Sequence, residues 1–190
     1  MLSTFITGAV VAVLVFYVIV IYNNLVRLKH NVSQAWSNID VILRQRHEEL
    51  PKLVETCRQY MQHEREVLER VTQARAAVST ARETGSVAAL GTAETAMRAG
   101  LASLFAVAEN YPDLKADRTF QHLQTRISQL ESQIADRREY YNDAVNLNNI
   151  RIEQFPDNLL AARFGFGPRE LLAFSEEEKA DVDLKALFGR

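Results

Sequence analysis

The sequence predicts an all-α protein in which one uncharged N-terminal span runs on into four amphipathic helices. Three observations carry that reading. Residues 2–22, LSTFITGAVVAVLVFYVIVIY, contain no Asp, Glu, Lys, Arg or His, and the first charged side chain of the chain is Arg27. Beyond the span, apolar residues recur at alternating spacings of three and four, the repeat of one helix face. Only 7 Gly and 4 Pro punctuate the 190 residues, and long stretches without either favour long helices over a many-turned β fold.

A helix rises about 1.5 Å per residue, so about 20 apolar residues cross a hydrocarbon layer about 30 Å thick. Residues 1–24 meet that requirement as a transmembrane anchor. Tyr17 and Tyr22 lie towards the second end, where an amphipathic ring suits the headgroup level. A buried core helix would be shorter and capped. A cleaved signal peptide would carry Lys or Arg before the apolar run and a small-residue cleavage site after it. Here Arg27 and Lys29 follow the run and none precedes it. That asymmetry puts the N-terminus outside and the remainder in the cytoplasm, as a single-pass protein of a cytoplasmic membrane.

The four helices are expected at about 25–49, 51–82, 92–110 and 117–154, which make residues 25–156 one helical domain. The first carries the stripe Leu25, Leu28, Val32, Ala35, Ile39, Ile42, bordered by Trp36, and continues the anchor directly. Pro51 removes a backbone donor and disfavours α geometry at Leu50, so a kink, a break or a restart is expected there. The second stripe is Leu50, Leu53, Cys57, Tyr60, Glu64, Val67, Val71, Ala74, Val78. Residues 82–91, RETGSVAALG, read as a linker. Met97, Leu101, Leu104, Phe105, Ala108 and Tyr111 mark the third helix. The last begins near Asp117, a suitable N-cap, and carries Phe120, Leu123, Ile127, Leu130, Ile134, Arg137, Tyr141, Val145 and Ile152. It stops before Phe155-Pro156.

Residues 157–190 form a C-terminal tail, expected to be partly packed on the helical domain. Phe164, Phe166, Leu171, Leu172 and Phe174 would be costly in water, so they either fold back or form an interaction surface. A second candidate site is polar. Asp40 and Arg44 can pair as an i,i+4 couple, or join Arg137 or Arg138 across the helices. The last helix is rich in amides (Asn142, Asn146, Asn148, Asn149), and buried amides must find partners. Trp36, Asp40, Arg44, Arg138 and Asn142 are therefore the candidate structural polar layer.

Chemistry finds little footing. Net charge is −2 with acids and bases interspersed, so no basic block supports nucleic-acid binding. The lone cysteine, Cys57, cannot form an internal disulfide, and its place on a stripe suits a small buried hydrophobe. A di-metal carboxylate bundle needs Glu-x-x-His pairs, yet the residues three before His30, His47, His63 and His122 are Arg27, Arg44, Tyr60 and Thr119. No H-E-x-x-H, phosphate loop or nucleophile-elbow motif is present. No catalytic residue, cofactor or metal ligand is assigned.

Three segments together resemble LemA family membrane proteins: residues 22–54, YNNLVRLKHNVSQAWSNIDVILRQRHEELPKLV; residues 108–124, AENYPDLKADRTFQHLQ; and residues 140–166, YYNDAVNLNNIRIEQFPDNLLAARFGF. The resemblance covers most of residues 22–166. It implies an antiparallel up-and-down four-helix bundle behind one membrane helix, on the cytoplasmic side of a bacterial inner membrane. The family tends to carry a second basic residue and an Asp where this chain has Gln45 and Glu48. It also implies an accessory, non-enzymatic protein, a scaffold or adaptor. The partners implied are the lipid bilayer and another membrane protein, a membrane metalloprotease among the candidates, or further copies of the chain. The alternatives are a metal-dependent helical-bundle enzyme and a small-ligand-sensing accessory module. Gly8 and Ala12 give the span only a weak small-xxx-small signal for self-association.

Overall fold

A computed structural model describes residues 1–173 of the chain. All of its regular elements are helices: α1 (Leu2–Tyr60), α2 (Arg65–Thr84), α3 (Val87–Ala108), α4 (Pro112–Ala116), α5 (Arg118–Glu153) and α6 (Asp157–Phe164). The chain divides into two compact units. The first comprises Met1–Ile39 and Arg137–Leu171; the second comprises Asp40–Asp136 with Leu172 and Ala173. Helices α1 and α5 each contribute to both.

Among the described residues one helix, α1, is long and apolar enough to cross a membrane. Its residues 2–20 are exposed, as a lipid-facing segment would be when considered as protein alone. The first side chain of α1 to be buried is Ile21, which joins Leu25 and Ala161 in a small core, with Ile152, Leu160 and Phe166 packed against it. Farther along α1 in this unit, Val32, Ala35 and Ile39 are buried, and the Trp36 ring lies 5.4 Å from that of Tyr141.

Pro51 does not end the helix. The expected separation into helices at 25–49 and 51–82 is corrected by a single α1 that runs to Tyr60, with the break at residues 61–64. Proline's cost in a helix interior, about 3 kcal/mol or more, includes the lost bond to the carbonyl four residues earlier. Here that carbonyl is His47, and Arg75 of α2 donates its Nε–H to it at 3.0 Å. The orphaned acceptor is thus satisfied from a neighbouring helix. Nor does the apolar face rotate at the proline: Ile39, Leu43, Arg46, Leu50, Leu53 and Cys57 are all buried and keep the three/four spacing straight through it.

The turn at residues 61–64 has neither Gly nor Pro. It buries Met61 completely, and the residues at its two ends are held by tyrosines. The Tyr60 hydroxyl donates to Asp117 Oδ2 at 3.0 Å, and the Tyr111 hydroxyl donates to Glu64 Oε1 at 3.3 Å. Glu64, a charged residue within the second stripe, therefore has a phenol partner.

The expected linker at residues 82–91 shrinks to two residues. Gly85 takes a left-handed φ of 67° and closes α2; Ser86 caps α3 by accepting the Ala89 N–H. Helix α3 then starts at Val87, five residues before position 92, and Gly91 is buried within it. At the far end, Asp117 Oδ1 accepts the N–H groups of Thr119 (2.7 Å) and Phe120 (3.0 Å) and so caps α5. Two short helices were not expected: α4, which Pro112 opens at its first turn, and α6 within the tail.

Candidate functional site

Of the five residues expected in a polar layer, Trp36, Arg138 and Asn142 belong to the first unit and Asp40 and Arg44 to the second. In the second unit Asp40 is bound by Arg44 Nη2 at 3.2 Å, the i,i+4 couple, and by Arg82 of α2, Nε to Oδ1 at 2.8 Å. Arg44 is mostly exposed, so its pair adds little. The Arg82 contact ties α1 to α2, a partner the stripe pattern had not suggested.

The densest polar cluster is one that pattern reading missed. Arg46 of α1 is 1% exposed and Glu94 of α3 is 0% exposed. Their pairing is bidentate: Arg46 Nη1 donates to Glu94 Oε2 at 3.0 Å and Nη2 to Oε1 at 2.5 Å. Nη1 also donates to Glu131 Oε1 of α5 at 2.5 Å. The other oxygen of Glu131 is 3.7 Å from Arg98 Nε. One guanidinium thus joins three helices, with its planar fork matched to a carboxylate. Burial pushes the Glu94 carboxyl above its usual range; Arg46 pulls the other way, and the nearby Glu131 charge adds to the push. Burial alone would lower the Arg46 pKa, but its two carboxylate partners hold it above the ordinary value.

The signal was in the sequence. Arg46 occupies the core position between Leu43 and Leu50, and Glu94 the one between Leu90 and Met97; all four apolar neighbours are buried. A charge at a stripe position on each of two helices is a buried pair in prospect. The flank of this cluster, enclosed by Leu43, Arg46, His47 and Arg75, leaves no room for a water molecule. The site is a packed ionic joint rather than a ligand chamber. It can fix register and helix identity.

Burial shifts the neighbouring titratable groups. Burial pushes the Cys57 thiol up to about 12, so it carries almost no thiolate at neutral pH. His47 is shifted below its usual value by burial and by the Arg75 and Arg82 charges. Among the described residues, no group of three His, Cys, Asp or Glu side chains could hold a metal ion.

In the first unit the tail is tied down by amides and aromatics. Asn149 donates Nδ2 to the Arg169 carbonyl at 2.9 Å and accepts the Arg169 N–H at 2.9 Å. Asn148 Nδ2 reaches the Gly167 carbonyl at 3.4 Å, and the Tyr141 hydroxyl donates to the Glu170 carbonyl at 3.0 Å. Tyr22 meets Phe164 and Phe166 edge-on, with ring centroids at 5.0 and 5.9 Å. Of the expected interaction surface, Phe164 and Leu171 are exposed, Phe166 is partly buried and Leu172 is fully buried. Phe174 lies outside the described residues. Asn149→Ala removes both hydrogen bonds to Arg169 and the one that Asn149 Oδ1 accepts from Asn148 Nδ2 at 3.2 Å, each worth about 0.5–1.5 kcal/mol. Hydrogen exchange followed by mass spectrometry should show faster exchange across residues 166–170, with the α3 amides unchanged; unchanged exchange at 166–170 would mean that the clip does not hold the tail.

Comparison with known proteins sets these features in context. The chain is 28% identical over 186 residues to protein LemA of Metamycoplasma hominis, a match covering 96% of this chain and 84% of that protein. It is 38% identical over 84 residues to magnetosome protein MamQ 2 of Paramagnetospirillum magneticum, covering 44% of this chain. A similar stretch is 30% identical to magnetosome protein MamQ of Magnetospirillum gryphiswaldense. Each of these two matches spans only 30% of the magnetosome protein's length. The LemA family model matches residues 35–185, a stretch that contains both the Arg46–Glu94–Glu131 joint and the Asn149 clip. With most of its length and both of its polar anchoring devices inside that match, the chain belongs to the LemA family.

Proposed function

We propose that the protein is a membrane-anchored helical scaffold or adaptor that acts through protein–protein contacts at a bacterial inner membrane. The observation that carries this reading is the continuity of α1, which leads from an exposed, uncharged span into both folded units without a break. A continuous helix of that kind joins the anchor to the first unit with no linker between them. Arg27 and Lys29 after the span favour a single pass with the N-terminus outside and the helical domain in the cytoplasm.

The architecture proposed is an antiparallel up-and-down four-helix bundle. Within the first unit, Leu25 lies with Ile152 and Trp36 with Tyr141. Within the second, Arg46 meets Glu131 and Tyr60 meets Asp117. In each unit the partner number falls as the number along α1 rises, which supports opposite directions for α1 and α5. The two-residue connection of α2 to α3 supports the same for that pair. A non-enzymatic role fits a buried cysteine and charged residues spent on holding helices together.

The partner proposed is another membrane protein, a membrane metalloprotease among the candidates, or further copies of the chain. Crosslinking in the native membrane followed by detergent extraction should give a discrete higher-mass species containing the protein. Recovery of the monomer alone would count against the scaffold reading. A reporter fused after Arg190 should be active only if it functions in the cytoplasm; periplasmic activity would reverse the orientation.

A further inference from the structure

We infer that Phe155, Leu159 and Phe164, on and beside α6, form a second membrane contact and sit in the headgroup–acyl boundary of the bilayer that α1 crosses. This rests on the membrane reading above and extends it from the anchor to the folded domain. These side chains are 80%, 63% and 54% exposed. They belong to the same unit as the span, and contacts fix their level along it. Ile21 and Leu25 pack with Ala161, Leu160 and Phe166; Tyr22, at the end of the apolar run, lies against Phe164 and Phe166. The segment therefore flanks the residues at which α1 leaves the hydrocarbon layer.

The chemistry at that level suits lipid. Aromatic and leucine side chains are favoured at the membrane–water boundary, and short amphipathic elements lie there with the apolar face sunk about 5–10 Å. The one carboxylate within α6, Asp157, is buried and paired with Arg151, so α6 itself offers the surface no free negative charge. Arg163, beside Phe164, is exposed and can reach anionic headgroups while its stem stays among apolar groups. Glu153, on the last turn of α5, is exposed nearby and is expected to remain on the water side. A bilayer is preferred to a protein partner as the occupant because Phe164 lies against Tyr22, itself exposed at the end of the apolar run of α1.

The test uses the full chain carrying Cys57→Ala, reconstituted in phosphatidylcholine vesicles containing a minority of phosphatidylglycerol. A nitroxide is placed in turn at Phe155→Cys and Leu159→Cys, at Val13→Cys within the span, and at Val41→Cys, an exposed apolar position of the second unit. Collision with oxygen, which concentrates in lipid, is compared with collision with an aqueous nickel chelate. Positions 155 and 159 should show an oxygen-to-nickel ratio severalfold above that at 41 and approaching that at 13. If 13 reads as lipid while 155 and 159 match 41, the anchor stands and the second contact is overturned. If 155 and 159 are shielded from both reagents, protein covers the face, a second copy in this preparation, and the lipid assignment is again overturned. If 13 itself reads as water, the membrane reading fails and this inference with it.

Discussion

Replacing Glu94 by alanine is expected to destabilise the fold by about 3–5 kcal/mol, the usual loss when one partner of a buried pair is removed. The reason lies with what remains. Arg46 is 1% exposed and cannot reach water without disturbing the core around it. It would keep only Glu131, which contacts Nη1 alone. Glu131→Ala should cost much less, about 1 kcal/mol, because Glu131 is partly solvated and its loss leaves the bidentate pair intact. Urea unfolding of the detergent-solubilised chain, followed by far-ultraviolet circular dichroism, measures all three proteins. A loss below about 1 kcal/mol for Glu94→Ala would mean that the buried pair is not formed in solution.

The same joint yields a sharper contrast. Replacing both Arg46 and Glu94 by apolar residues of similar volume removes two desolvation costs together with the attraction between them. Such replacements are often neutral, or stabilising by about 1–4 kcal/mol. If the double variant is as stable as the natural chain, the joint contributes specificity rather than stability: it makes α1 meet α3 and α5 in one register. That role fits a scaffold, whose partner must find the same surface each time. A double variant that unfolds more readily than Glu94→Ala would instead assign the joint a net stabilising role.

The helices were legible because their causes are local. The Leu25 to Ile42 stripe and the Asp117 cap each depend on residues within a turn or two. What escaped depends on residues far apart in sequence. Pro51 looked like a boundary because the donor that replaces its missing N–H comes from Arg75, on another helix. The real break, at residues 61–64, has no Gly or Pro to announce it and is set by Tyr60 and Tyr111 finding partners on distant segments. The polar layer was sought beside the stripes, at Asp40 and Asn142, whereas the densest pairing sits on the stripes, at Arg46 and Glu94. The amide-rich run of α5 did signal a polar role, but Asn148 and Asn149 bind the tail's backbone rather than another helix.

Two glycines of α3 should respond with opposite signs to the same substitution, and the difference tests how the C-terminal segment is seated. In a helix interior, Gly→Ala ordinarily stabilises by about 0.5–1 kcal/mol, because alanine has less backbone entropy to lose. At Gly100 the new Cβ would lie 3.5 Å from Val71 Cγ2, an ordinary contact, so Gly100→Ala should give that gain. At Gly91 the Cβ would overlap the carbonyl oxygen of Ala173. A backbone atom cannot swing aside as a side-chain tip can, so either α3 or the 172–173 segment must move. Overpacking of this kind costs about 1–3 kcal/mol, which outweighs the entropic gain. Leu172 is fully buried, and the least disruptive relief is for it to leave its site. Gly91→Ala should therefore lower the unfolding midpoint and open the chain near Leu172 to protease, while Gly100→Ala raises the midpoint and leaves cleavage unchanged. A stabilising Gly91→Ala would mean that the Ala173 backbone does not lie over α3. Gly91 falls in the stretch that reads as a linker in sequence; in the fold its missing side chain is the space that the Ala173 carbonyl occupies.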